Sequence, residues 1–401
     1  MTYILFFFLM IFSASLWLIV YYSNLGRVTK DPEPEEYRDL TFLVPAYNEE
    51  DYIKETIESL LNIDYPEDKL KIIAINDGST DKTLDILEEY RDKITIIDKV
   101  NTGKADSMNQ ALEKVDTELV ASMDADSYPE ENFLKCMVGY FNDENVYGVT
   151  PALKILRDDR IVEKIQWTEY IYQIFLRKVF ALFDVQYVLP GPGSIYRTEF
   201  LKKTGGWDED THTEDMEMAF RMMYAGKKIE NSTNGTVFTD PPSNFKTLFR
   251  QRIRWYRGYV ENFFEYREMF LNPRSGNLGF FLLPLNVLWI FMLVFILTHV
   301  IYNVLSTFID WIHTYFLLGY FPIEFTFSIQ QLHLFHIFII FFMATGLGMV
   351  FLSLFSAGEK LNLRDKKINY LTFFTIYPYL FAMFWVATFF EMAKSRGKNK
   401  W

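Results

Sequence analysis

The stretch LTFLVPAYNEE, residues 40–50, opens on a mostly apolar run, LTFLV, and closes on polar residues. It reads as a buried strand whose carboxyl end empties into a polar turn. Three stretches downstream repeat the layout. KIIAI (71–75) runs into INDGSTD (75–81), ITIID (94–98) is followed by NTGKADSMNQAL (101–112), and LVASM (119–123) runs into MDADS (123–127). Helix-like stretches at Asp51–Leu61, Asp81–Tyr90 and Lys104–Val115 separate them. Strand–helix alternation implies right-handed crossovers and a mostly parallel α/β sheet. Such sheets bind ligands beyond the carboxyl ends of their strands. The strand ends therefore aim acids, a lysine and glycine-containing turns at one rim. Any one of these turns is ordinary; their convergence is what marks the rim as a site.

Outward from this block the chain becomes apolar. Of its 401 residues, 50% are hydrophobic and 39 are Phe, while the formal charge of −12 argues against nucleic acid as a partner. The single cysteine, Cys136, excludes an internal disulfide and fits a reducing compartment. Residues 1–23 contain an uncharged run, Tyr3–Tyr22, long enough to span a bilayer, with no basic n-region or small-residue cleavage site. It reads as an anchor. Residues 24–38 read as a polar linker, 39–242 as the α/β domain, and 243–275 as an amphipathic interfacial helix region. Residues 276–393 read as a transmembrane region with apolar runs at Leu278–Leu305, Leu332–Ala357 and Tyr370–Glu391, and 394–401 as a basic tail. A weaker run, Phe308–Phe325, carries Asp310 and Glu324 and either spans or lies in the interface. Arg27 and Lys30 place the α/β domain on the cytoplasmic side of a multi-pass cell-membrane protein.

The chemistry-bearing residues sit in order along the chain. Asp124 and Asp126 leave one strand end two residues apart, where they could hold Mg²⁺ or Mn²⁺, or simply cap a turn. Asp77 could read a base or ribose, and Lys104 could neutralise a phosphate; turn chemistry and a solvated helix start are the bland alternatives. In GPGS (191–194), Gly191 and Gly193 permit close backbone approach to a ligand or make a plain turn. THTEDMEMAFRMMYAG (211–226) reads as a helix with a Thr211–Glu214 capping box and a Gly226 stop. Asp215, in its first turn, could be a general base. The helix dipole would lower its pKa and burial would raise it.

FRQRIRWYRG (249–258) gathers four arginines without an acid. On a helix Gln251, Arg254 and Trp255 share one face. Arg254 can fork onto a diphosphate, and Trp255 can stack on a sugar ring. Arg250 and Arg257 flank that face, while Arg252 points elsewhere and suits lipid headgroups.

This ordered set resembles the membrane-bound family-2 glycosyltransferases of GT-A fold. Those enzymes carry a DxD motif, here Asp124-Ala125-Asp126, a TED-type motif, here Thr213-Glu214-Asp215, and QxxRW, here Gln251 to Trp255. The resemblance implies a Rossmann-like GT-A domain plus transmembrane helices and a UDP-sugar donor. Pro45, Tyr47, Glu49 and Asp77 would line the uridine pocket with Lys104 and Asp124. Asp126, with Asp124, would hold the metal. Asp215, paired with Glu214, would be the base, and Arg254 would contact the diphosphate. Gln251, Trp255 and Gly193 would face the acceptor. QxxRW accompanies processive synthesis, in which a growing β-linked polysaccharide is threaded through the lipid bilayer, with a small accessory membrane subunit as a further partner. The TED and QRxRW spellings are most similar to poly-β-1,6-N-acetylglucosamine synthases, whereas YRGY after the tryptophan departs from their pattern. The alternatives are a single transfer to a lipid and a synthase of hyaluronan or chitin. A transporter or scaffold with a dead domain would have lost Asp77, Asp124, Asp126 or Asp215, and all are present.

Overall fold

The computed structural model describes residues 2–320 and 334–395. Its centre is an eight-stranded sheet of order β3-β2-β1-β4-β7-β6-β8-β5. The four apolar runs form β1 (Leu40–Ala46), β2 (Leu70–Asp77), β3 (Thr95–Lys99) and β4 (Leu119–Ser122). These pair in parallel, with β1 between β2 and β4. The helices between them are α3 (Ile53–Leu61), α4 (Thr83–Glu88) and α5 (Lys104–Leu112). Leu40, Phe42 and Val44 are wholly buried on one face of β1 and Leu43 on the other, because helices cover both sides of the sheet.

The expectation of a mostly parallel sheet gives way to a mixed one. β5 (Ser127–Pro129), β6 (Val146–Ile155), β7 (Ile195–Arg197) and β8 (Lys228–Thr239) complete it. β7 runs antiparallel to both β4 and β6, β8 parallel to β6, and β5 antiparallel to β8. β5 and β7 are three residues each, too short to carry a period of their own. β7 enters directly behind GPGS, and Gly193 N–H donates to Ser122 O at 2.8 Å, so the turn is stitched to the end of β4.

Residues 24–38 are more than a linker. They form a short helix, α2 (Leu25–Thr29), and then bond to the sheet domain. Arg27 pairs with Glu230 at 2.7 Å, and Asp31 accepts from Tyr140 at 2.6 Å and from Ser232 at 2.8 Å. Before it, α1 (Thr2–Ser23) packs beside two helices of the carboxyl-terminal part.

After α6 (Phe133–Met137), the long α7 (Ile161–Leu182) lies under the sheet, and α8 (Thr198–Thr204) follows β7. The helix read in 211–226 is α9, Glu214–Tyr224, and the arginine-rich helix is α10, Phe245–Glu265. Beyond it, α11 is Leu283–Leu318, α12 is Leu334–Ser356, α13 is Lys367–Thr375 and α14 is Tyr377–Ser395.

Among the described residues one helix, Leu278–Leu318, is long and apolar enough to cross a membrane. The run expected to stop at Leu305 and the weaker one starting at Phe308 are thus joined in a single rod; Glu324 lies outside the described residues. The Tyr370–Glu391 run is interrupted between α13 and α14, which bend by 47° and would together make a second span. Phe7–Ser23 and Met343–Ser356 are shorter apolar helices, and the first two residues of the Leu332–Ala357 run lie outside the described residues.

Candidate active site

The turns after β1 and β2 are stitched to each other. Asn48 holds φ of 57°, a left-handed conformation that its short polar side chain tolerates. Its Oδ1 accepts from Thr80 N–H at 2.8 Å and its own N–H donates to Ser79 Oγ at 3.0 Å. Pro45 closes β1 partly buried, and Tyr47 stands 49% exposed at the rim.

Asp77 ends β2 almost fully buried. Lys99 Nζ donates to it at 2.7 Å, Thr102 N–H at 3.0 Å and Gly103 N–H at 2.9 Å. Burial pushes its carboxyl up, but these donors outweigh burial and hold it below its ordinary value. Most of its lone pairs are therefore occupied by its own chain. It shapes the loop that delivers Lys104.

Lys104 is the first residue of α5. Its Nζ lies 2.6 Å from Asp124 Oδ1 and 3.3 Å from Glu214 Oε1. Burial lowers its pKa, but Asp124 and Glu214 outweigh it and keep the ammonium charged. One cation thus joins the end of β4 to the start of α9. Gly191 makes that approach possible: a Cβ there would lie 2.8 Å from Lys104 Nζ and 3.0 Å from Asp124 Oδ1. The two glycines of GPGS separate here. Gly193, expected to face an acceptor, is buried, and a Cβ on it would meet Val237 at 2.7 Å and Phe133 at 3.2 Å. Gly191 is the one that abuts the charged cluster.

Asp126 accepts a hydrogen bond from Ser127 Oγ at 3.0 Å. Burial first, then the charge of Asp124, raises its carboxyl to about 6. Glu49 is raised to about 7 by burial and by Asp126 and Asp124. This is an anionic pocket short of positive charge, which suits a hard divalent cation. Among the described residues no group of three or more His, Cys, Asp or Glu side chains is arranged to hold a metal ion. Two carboxylates alone would leave most of the shell of Mg²⁺ or Mn²⁺ to other oxygens, such as substrate phosphates.

α9 begins two residues later than a Thr211 cap would place it. Thr213 is its N-cap, without a side-chain cap bond, so Glu214 and Asp215 are its first two residues. The expected capping box is absent because Glu214 turns to Lys104 instead. The stop is as expected, with Gly226 at φ of 69°. The adjacent carboxyls are driven apart. For Glu214 burial acts upward, but Lys104, a backbone N–H and Arg254 together outweigh it and the net shift is down. For Asp215 burial and the charge of Glu214 win over Lys104, Arg254 and the Met216 N–H, and its carboxyl rises to about 6. The competition between dipole and burial resolves in favour of burial. Neighbouring acids separated in this way are suited to different roles, with Asp215 able to carry a proton near neutral pH.

α10 docks its middle against this cluster. Gly258 packs so closely on Thr213 that a side chain would collide with its Oγ1 and Cγ2. Asn262 Nδ2 donates to Thr213 Oγ1 at 3.2 Å. Arg254 reaches over, donating to His212 O at 3.3 Å, and shares with Lys104, Glu214 and His212 a cavity of about 210 Å³. His212 was not legible as a site residue. Its Nδ1 lies 2.7 Å from Glu261, which also accepts from Arg257 at 2.8 Å, so its partners come from α10, about fifty positions away.

The arginine-rich motif divides its cations differently from the expectation. Arg250 is exposed and Arg257 is engaged by Glu261. Arg252, assigned to lipid headgroups, is 1% exposed and pairs with Glu169 of α7 at 2.8 Å. A charge turned inward demands a buried partner, and that partner is 83 residues upstream. Gln251 and Trp255 flank Arg252, bonded to it at 2.6 Å and lying 4.1 Å over it. The YRGY departure is absorbed by packing, with Tyr256 stacked on Trp385 at 4.7 Å.

Residues 38–258 match the model of the glycosyltransferase like family 2. The chain is 29% identical over 239 residues to the probable glycosyltransferase YdaM of Bacillus subtilis, a match taking in 56% of each chain, so it spans about half the length of that relative. It is 26% identical over 299 residues to the poly-beta-1,6-N-acetyl-D-glucosamine synthase of Staphylococcus aureus (strain MSSA476), covering 70% of this chain and 72% of that one. In fold it is similar to the mannosyltransferase PcManGT from Pyrobaculum calidifontis, solved in complex with GDP-Man and Mn²⁺, with a TM-score of 0.59 at 16% identity over the whole of both chains. With the rim of strand ends, the split acid pair and the family match in agreement, the chain belongs to the family-2 glycosyltransferases and is an enzyme of that class.

Proposed function

We propose that the protein is an inverting, membrane-embedded glycosyltransferase that draws on UDP-N-acetylglucosamine to extend a β-linked polysaccharide and thread it across the bilayer. The observation that carries this reading is the bridge made by Lys104 between Asp124, at the end of β4, and Glu214, beside Asp215. It brings the expected donor side and the expected base to one point. The name of the staphylococcal synthase supports the sugar and the polymer.

In this reading Pro45, Tyr47, Glu49 and Asp77 form the uridine side. Lys104 and Arg254 neutralise the diphosphate. Mg²⁺ or Mn²⁺ between Asp126 and Asp124 would supply further positive charge there. Asp215 takes the proton from an acceptor hydroxyl positioned near Gln251 and Trp255. The hydroxyl oxygen attacks the anomeric carbon from the face opposite UDP, the bond to the diphosphate oxygen breaks, and UDP leaves with that electron pair. One displacement inverts the anomeric centre. The catalytic domain lies on the cytoplasmic side of the cell membrane, and a small accessory membrane subunit is a further partner.

The test uses purified protein in nanodiscs with Mg²⁺ or Mn²⁺ and a panel of UDP-sugars. UDP release with UDP-N-acetylglucosamine and a high-mass product is the expected result. Release with another sugar would overturn the donor assignment, and one small lipid-linked product would overturn the polymer.

A further inference from the structure

Arg252 is the largest wholly buried side chain among the described residues, and the reaction outlined above does not use it. Its surroundings give it a task. Its Nη1 lies 2.6 Å from the side-chain amide of Gln251. Arginine has donors only, so the amide atom facing it is the oxygen, Oε1. Gln251 is thereby left with its NH₂ to offer. Its guanidinium also lies 4.1 Å from the centre of the Trp255 ring, which takes up one face of the indole. A sugar ring would take the other face.

Arg252 is itself fixed from the membrane side. Its Nη2 donates to Glu169 Oε2 at 2.8 Å. The second oxygen of Glu169 accepts from Tyr377 OH at 2.9 Å and from Gln173 Nε2 at 3.2 Å. Tyr377 is the first residue of α14, at the 47° break after α13. A continuous chain of hydrogen bonds therefore runs from the bent helix pair, through a buried ion pair, to Gln251 and Trp255. Such pairs hold one geometry firmly, since any departure strands a buried charge.

We infer that Arg252, Glu169 and Tyr377 are positioning residues that orient Gln251 as a donor-only group and Trp255 as a one-sided platform, so that the acceptor is recognised through an oxygen lone pair, of a hydroxyl or an amide carbonyl, beside a sugar face. This deepens the proposed function and rests on its placing the acceptor at Gln251 and Trp255. The chain also ties the acceptor platform to the helix break, so a change in the bend would move both acceptor groups together.

Two substitutions in the full-length protein test the inference. Gln251→Glu keeps an oxygen for Arg252 and adds an opposite charge, so the local packing is retained, but the NH₂ is gone. Tyr377→Phe removes one hydroxyl and keeps the ring. Steady-state KM is measured separately for the sugar donor and for a short oligosaccharide acceptor, alongside hydrogen exchange of the 245–258 backbone. Gln251→Glu is expected to raise acceptor KM about tenfold or more, with donor KM within about twofold. Tyr377→Phe is expected to raise acceptor KM about threefold to tenfold and to speed exchange across 245–258. Equal changes in both KM values, or an unchanged acceptor KM in both variants, would overturn the inference. Wild-type protein that turns over a different sugar donor would overturn only the donor assignment, since the same split is read with that donor. Wild-type protein that turns over no donor overturns the proposed function. The exchange readout then decides the tether alone, and unchanged exchange in Tyr377→Phe would refute it.

Discussion

The turn after β2 and the start of α9 both place carboxylates at the same rim, yet they treat them in opposite ways. Asp77 is wrapped by Lys99 and two backbone N–H groups, and Asp81 by the Thr83 hydroxyl and the Thr83 and Glu50 N–H groups. Both are held below the ordinary range despite burial. At α9 and at the end of β4 the acids instead face one another, and Asp215 and Asp126 are pushed up by burial and like charge. The first arrangement spends its acids on shaping the backbone. The second leaves Asp215 and Asp126 raised even with Lys104 nearby. A motif aspartate is thus a framework residue or a reactive one according to who donates to it.

The comparison is tested hardest at Asp215. Asp215→Asn is expected to lower kcat by about 10²- to 10⁴-fold, the usual worth of a general base, with donor KM nearly unchanged. Near-normal turnover in single-turnover assays would remove Asp215 from the role of base. Asp77→Asn should act on the other side of the comparison, costing about 1–3 kcal/mol of stability because the almost buried Lys99 loses its opposite charge and the new NH₂ sets a donor against the Thr102 or Gly103 N–H. Chemical denaturation reads this, and a large loss of activity at full stability would make the uridine pocket, not the framework, the main role of Asp77. Lys99 keeps Asp106 at 3.0 Å, which argues for the low end.

The acid limb of the rate profile gives a third, finer check. A base must be unprotonated, so a carboxyl raised to about 6 makes kcat fall about tenfold per pH unit below about 6. Glu214→Gln removes one of the charges that raise it and should move the limb to lower pH. The same shift means that ionising Asp215 costs fold stability as pH rises from the ordinary carboxylate range through about 6. Smallest of all is Arg250→Ala. This exposed arginine should change stability by less than about 0.5 kcal/mol and leave KM untouched. A large effect on donor KM would return it to the site.

What the sequence made legible was whatever has local partners. β1 to β4 announce themselves as apolar runs, and the polar turns at their ends follow in register. The order of Asp124, Asp126, Glu214, Asp215, Gln251, Arg254 and Trp255 carried the family. What stayed hidden depends on distant chain. β5 and β7 exist because β8, β4 and β6 offer edges to them. The inward turn of Arg252 requires Glu169, and the link of His212 requires Glu261. The pKa of Asp215 is a balance of burial against cations, and no local pattern of residues encodes that balance.

The joined helix Leu278–Leu318 has a geometric consequence. Its 41 residues make a rod of about 60 Å at 1.5 Å per residue, twice the roughly 30 Å of a hydrocarbon core. Inserted upright, such a rod cannot lie wholly within the hydrocarbon, so some 30 Å of it stands beyond the acyl chains at one end or shared between both. A fluorophore at position 319 would report which end carries the overhang: dyes in solution quench it if that end stands clear, and quenchers carried on the lipid tails do so if it is immersed.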